Sequence, residues 1–266
     1  MKIIISPAKK MNINTDDMEV KTSPIFLERA IVLMEWIRGM SYEEAKKLWG
    51  CNDKIAALNY ERFQTMDLKR GLTPALLAYE GIQYQYMAPH VFEYDQWDYV
   101  EDHLRILSGF YGILRPLDGV VPYRLEMQAK GRPGRSPDRG PDSSPDSILD
   151  GSLYGRNLYG FWKDDIYQAL AADTDCIVNL ASKEYSRCIE NWLEDGITYV
   201  TCVFGEERDG KVIQKGTQAK MARGEMVRYM AERQITDWQA MKSFNRLGYT
   251  YSEKFSDEGQ LVFLKS

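Results

Sequence analysis

Histidine is nearly absent from this chain of 266 residues: His90 and His103 are the only two. A histidine-rich metal site or a Ser-His-Asp machine would have to be assembled from almost nothing. The four cysteines, Cys51, Cys176, Cys188 and Cys202, form no CxxC pair and no zinc-type spacing, and a chain of this size needs no disulfide staples. Reduced thiols in a cytoplasmic setting are therefore expected, with no metal and no cofactor. No stretch approaches the ~20 apolar residues of a membrane span, and the apolar opening MKIII precedes its lysines and is very short, the wrong pattern for a secretory leader. An excess of basic charge is missing too. The formal charge is −5, which excludes a protein that holds polyanions over its whole surface. Any polyanion site must be a local concentration of lysine and arginine.

What is present is enough for a large core: 44% of residues are hydrophobic, the ordinary globular proportion. One domain is expected, because α/β folds of this length commonly share one core. Lys2 to Ile5 reads as a buried central strand stopped by Ser6 and Pro7. Helices follow: one capped by Ser23, with Pro24 in its first turn and Gly39 as its stop, one opened by the capping box Ser41 and Glu44, and one capped by Asp53. Ala75 to Tyr79 does not declare its period. A helix is expected from Asp95 to about Arg105, then a strand broken by Gly109 and Gly112. From residue 129 to 152 the run GRPGRSPDRGPDSSPDS is proline-, glycine- and serine-rich, and reads as an insertion within the one domain. Beyond it come a helix from Asn157 to Ala172, a strand from Cys176 to Leu180, a helix from Ser182 to Leu193 and a strand from Ile197 to Phe204. A hairpin at Asp209 and Gly210, a long helix from Thr217, another from Thr236 to Asn245 and a closing hairpin complete the chain. The expected fold is α/β (α+β), a mixed central sheet wrapped by helices.

Four segments carry candidate chemistry. SPAKK, Ser6 to Lys10, follows a strand and offers a hydroxyl and the ammonium groups of Lys9 and Lys10, either as ligand contacts or as a solvated turn; it lacks the glycines of a phosphate-binding P-loop. LSGFYGILRPLDGVVPYRLEM, Leu107 to Met127, is the densest. Arg115 and Arg124 are forked donors suited to phosphate oxygens, unless each pairs with its neighbouring acid, Asp118 or Glu126. In NLASKEY, Ser182 caps a helix whose first turn holds Lys183 and Glu184, the latter a routine first-turn acid or a catalytic carboxylate. In GTQAKMARGEMVR, Lys220 and Arg223 share a helix face, a solvated surface or a binding face, and Gly224 inside a helix suggests a close approach.

Together these segments, with LYGFW at Leu158 to Trp162 and AKMARGEM, resemble the YaaA peroxide-stress family in content and order over essentially the whole chain. The resemblance implies a cytoplasmic protein induced by hydrogen peroxide that limits free intracellular iron and binds double-stranded DNA in a basic cleft. Carried onto this sequence, the cleft would draw on Lys9, Lys10, Arg115, Arg124, Lys183, Lys220 and Arg223. Two departures stand out: the segment after Met127 is longer and more proline-rich than the family usually shows, and Lys183 stands where asparagine is usual. The glycine, tyrosine, glycine loop followed by proline and tyrosine is also similar to loops of base-exchanging transglycosylases and nucleobase glycosidases. That similarity implies an alternative, an enzyme acting on a small nucleotide-like ligand, with Asp118, Glu126 or Glu184 as the carboxylate. No membrane partner is expected, and the protein is expected to be a monomer.

Overall fold

Ile3, Ile4 and Ile5 offer no polar residue to alternate with, and a strand apolar on both faces must be covered on both. In the computed structural model all three have zero exposure. It describes residues 1–13, 18–131, 133 and 157–265; most of the 129–152 segment lies outside them. The Lys2–Ile5 strand lies between two parallel neighbours, Leu104–Ser108 on one side and Cys176–Leu180 on the other. Thr198–Arg208 and Gln260–Lys265 extend the sheet in the same direction. In chain order these five parallel strands lie 2-1-3-4-5 across the sheet, an arrangement found in doubly wound α/β folds. Antiparallel strands finish it: Gly112–Leu114 at one edge, Tyr249–Tyr251 at the other, and Lys211–Ile213 on the Thr198–Arg208 strand. The result is one mixed eight-stranded sheet among the described residues, with helices packed around it.

The capping box forms as expected: the Glu44 N–H donates to Ser41 Oγ, and the Ser41 N–H donates to Glu44 Oε2 at 2.9 Å. Asp209 and Gly210, at φ 51° and 74°, make the tight hairpin turn that a right-twisted strand pair needs. Other boundaries differ from the sequence reading. The first helix is Leu27–Arg38, so Phe26 and not Ser23 stands at its N-cap, with no side-chain cap; the Ser23 carbonyl accepts from Arg115 Nη2 at 2.9 Å. Asn52 rather than Asp53 caps the third helix, its Oδ1 accepting from the Ile55 N–H at 3.0 Å. The helix expected over Asn157 to Ala172 breaks at Lys163, whose φ of 47° ends Leu158–Trp162 before Asp165–Ala171 begins. Trp238–Ser243 is a 3-10 turn. The undeclared run from Ala75 resolves into a short helix, Ala75–Ala78, and the two-residue strand Tyr79–Glu80.

Gly224 explains itself here. It lies in the long helix Gly216–Glu232, packed against the helix Ile82–Met87 so closely that a methyl group at Gly224 would land on the Gln83 carbonyl. That contact fixes both helices beside the carboxyl ends of the parallel strands. Among the described residues, no helix is long and apolar enough to cross a membrane.

Candidate functional site

In an open parallel sheet the loops leaving two neighbouring strands part where the strand order reverses, and the crevice between them is open to a ligand. Here the reversal falls between Lys2–Ile5 and Cys176–Leu180, and their exits carry Ser6 and Ser182. The Ser182 N–H donates to Ser6 Oγ at 2.8 Å, and Tyr84 Oη donates to the Ser6 carbonyl at 3.0 Å. These bonds tie both loops to the Ile82–Met87 helix around a cavity of about 360 Å³.

The cavity is lined by Lys9, Lys10, Arg124, Lys220 and Arg223 together with Glu80, Glu126 and Glu184. Lys10 pairs with Glu80, which holds that carboxyl below its usual range. Glu126 receives Arg124 Nη2 at 2.9 Å and Lys9 Nζ at 3.2 Å. Glu184 Oε1 accepts from the Gln128 N–H at 3.2 Å, yet burial first, and the nearby Glu126 charge among its other causes, push its carboxyl above the usual range. Neither Lys220 nor Arg223 has a carboxylate partner among the described residues. Burial lowers the Arg223 pKa, and its Nε and those of Arg124 and Gln83 Nε2 are buried without acceptors. Buried polar groups are ordinarily paired; around this cavity three donors and one acceptor, Glu126 Oε1, lack a hydrogen-bond partner.

Beneath the floor runs a chain of hydroxyls. Ser108 Oγ accepts from the Phe110 and Tyr111 N–H groups at 3.1 and 2.9 Å. With those lone pairs occupied its proton is directed at Tyr123 Oη, 2.6 Å away, which in turn lies 2.8 Å from Tyr79 Oη. Burial lifts the Tyr123 phenol to about 12, so it serves as a neutral hydrogen-bonding group.

The structure does not bring Arg115, Asp118 or Lys183 to this cavity. Leu104–Ser108 and Gly112–Leu114 form a hairpin with Ile106 opposite Leu114, so Arg115 is carried back to the amino-terminal end of the parallel strands. There Asp118, with no exposure, accepts from the Arg115 N–H at 2.8 Å, Arg115 Nε at 3.1 Å and Thr22 Oγ1 at 2.6 Å. The chain then returns, and Arg124 and Glu126 arrive at the cavity. Lys183 turns along its own helix to pair with Glu190. Conversely, Glu80, Gln83 and Tyr84 stand in the wall and were not singled out from the sequence. Their segment offers no motif; Gly81 ahead of a short apolar helix is the one local signal.

A mixed sheet with a parallel centre and a cationic cavity at its point of strand reversal places the chain among doubly wound α/β folds. Comparison with known proteins narrows this. The profile described as "Peroxide stress protein YaaA" matches residues 1–255. A UPF0246 protein of Desulfitobacterium hafniense (strain Y51) is 56% identical over 266 residues, covering 100% of this chain and 98% of the relative. Another, from Lachnoclostridium phytofermentans, is 52% identical over 265 residues, covering 100% and 96%. A third, from Agathobacter rectalis, is 48% identical over 263 residues, covering 99% and 98%. The chain belongs to the YaaA peroxide-stress family.

Proposed function

We propose that the protein binds double-stranded DNA, in the cytoplasm and as part of the peroxide response, through the basic cleft whose floor is this cavity. The observation that carries the reading is the convergence of Lys9, Lys10, Arg124, Lys220 and Arg223 from separate segments onto one concave place in a molecule of net charge −5. Positive groups in a concavity with low-dielectric walls focus their field, and a duplex laid over the mouth meets the exposed lysines first. In this reading the link to free iron runs through the DNA that iron chemistry damages. Among the described residues no cluster of three or more histidine, cysteine or carboxylate side chains is arranged to hold a metal ion.

The test is a salt titration of duplex binding. Neutralising about three phosphates with Lys9, Lys10 and Lys220 gives a slope of log affinity against log salt of about −3, and Lys9→Glu combined with Lys220→Glu abolishes binding in a protein that still melts cooperatively. A flat salt response, or wild-type affinity in the double variant, refutes the reading. A second reading, an enzyme on nucleotides or nucleobases, is favoured by one observation: Glu126 and Glu184, whose carboxyl is pushed above its usual range by burial, face the same cavity, an arrangement suited to acid and base roles. Base release from nucleosides, abolished by Glu126→Gln, supports it; no release from any nucleoside tested removes it.

A further inference from the structure

The cations at the cavity differ in reach. The Lys9 and Lys10 side chains are 67% and 70% exposed, and Lys220 is exposed as well. Arg124 is 11% exposed and Arg223 is half-buried. A duplex is far too wide to enter a cavity of about 360 Å³, so its backbone meets the lysines and leaves the arginines untouched. The half-buried Arg223 guanidinium has neither an ion pair nor a hydrogen bond among the described residues, and its Nε is buried. A buried donor without a partner is costly, and this guanidinium lines open space that a ligand can fill.

The charge and shape of that space restrict the ligand. Five cations line the cavity against three carboxylates, leaving two positive charges over. A bridging phosphodiester supplies one negative charge, whereas a phosphate monoester supplies nearly two at neutral pH. Gln83, 6% exposed, adds an Nε2 donor without an acceptor. Across the wall formed by Glu80, Gly81 and Tyr84 lies a second cavity of about 200 Å³, lined by the apolar Leu76, Leu77 and Pro89 and by the polar Asn12, Gln85 and His90. A flat heterocycle with donors and acceptors on its edge suits such a lining.

We propose that the inner cavity, with Arg223 and Arg124 at its centre, is a subsite for a phosphate monoester carried on a single nucleotide. The nucleotide is either the phosphorylated end of a DNA strand or a free nucleoside monophosphate. The strand-end case rests on the duplex reading of the mouth; the free-nucleotide case does not.

The experiment uses the full chain and one short duplex prepared with 5′ phosphates, with 3′ phosphates or with neither, read by fluorescence anisotropy. A terminal phosphate is expected to raise affinity about tenfold or more, the scale of charge-assisted hydrogen bonds newly made in a buried place. A deoxynucleoside monophosphate is expected to compete for that increment and the unphosphorylated deoxynucleoside is not. Arg223→Met lowers affinity for the phosphorylated duplex more than for the plain one, and Arg223→Lys restores part of the difference; thermal melts report whether either variant folds. An increment without competition by the monophosphate assigns the strand end, and monophosphate binding without an increment assigns the free nucleotide. Equal affinity for all three duplexes, with no binding of the monophosphate to the wild-type protein, overturns the subsite and leaves duplex binding standing. Monophosphate binding with no duplex binding overturns the duplex reading and leaves the subsite.

Discussion

Replacing Gly224 by alanine sets two physical effects against each other. In an isolated helix the change favours folding by about 1 kcal/mol, since glycine gives up more backbone freedom than alanine. In this protein the new methyl would lie over the Gln83 carbonyl oxygen, 2.9 Å from the Gln83 carbonyl carbon and 3.0 Å from the Met87 nitrogen. All three neighbours are backbone, so no rotamer change relieves the contact; the Gly216–Glu232 and Ile82–Met87 helices must move apart. Overpacking of a tight site costs about 1–3 kcal/mol, and a backbone clash belongs at or above the top of that range. With the propensity gain subtracted, Gly224→Ala is expected to destabilise by about 2 kcal/mol, or about 4–8 °C in Tm for a chain of this size. The same displacement separates Lys220 and Arg223 from Gln83 and Tyr84, which line opposite walls of the cavity, so affinity for DNA falls in parallel. Thermal unfolding followed by circular dichroism, with a binding titration on the same preparation, checks both. An unchanged or raised Tm would mean that propensity prevails and that these helices do not touch as described.

Asp118→Asn leaves Arg115 without its charged partner at a buried position; a stability loss of about 2–3 kcal/mol is expected, with an unaltered salt slope for DNA, and a changed slope would place Asp118 in the site after all. Burial lifts the Cys188 and Cys202 thiols to about 12, and the thiolate is the reactive form; mass spectrometry of native protein after mild peroxide is expected to find both unmodified, and sulfenic acid at either refutes this. Glu184, with its folded-state carboxyl held above the usual range, favours folding only at pH below the ordinary glutamate value, and that contribution is lost as pH rises through the raised folded value. Glu184→Gln therefore gains stability over wild type at neutral pH relative to acidic pH, as read from urea midpoints; an equal difference at both pH values excludes the linkage.

The central strand was legible because three consecutive isoleucines admit only a position covered on both faces, and the exit at Ser6 and Pro7 followed from it. The capping box at Ser41 and the hairpin at Asp209 and Gly210 were legible because their chemistry is local. What the sequence hid was direction. Leu107 to Met127 read as one dense functional segment, yet its hairpin sends Arg115 and Asp118 to one end of the sheet and Arg124 and Glu126 to the other. The separation depends on pairing between Ile106 and Leu114, and no single residue announces it. Lys183 follows the same rule: the sequence put it in a helix first turn and the family resemblance put it in the cleft, while Glu190, seven residues on, draws its ammonium away. The wall at Glu80 to Tyr84 was invisible because its five residues, EGIQY, carry no motif, and its partner Gly224 lies far along the chain.

The distribution of charge bears on how such a site discriminates. With a net charge of −5, most of the surface repels polyanions, and repulsion outside the cleft discourages binding in any other orientation. Attraction is confined to a place where Lys220 and Arg223 lack carboxylate partners among the described residues, while Lys10 pairs with Glu80 and Lys9 and Arg124 share Glu126. The paired cations engage a ligand fully only when it displaces a carboxylate or when that carboxylate takes up a proton, whereas Lys220 at the mouth and Arg223 further in have no carboxylate to give up. On the proposed reading, a site built this way holds anions weakly at its mouth and strongly at its floor, so the end of a strand, with its extra charge and freedom to enter, is expected to gain more from it than the middle.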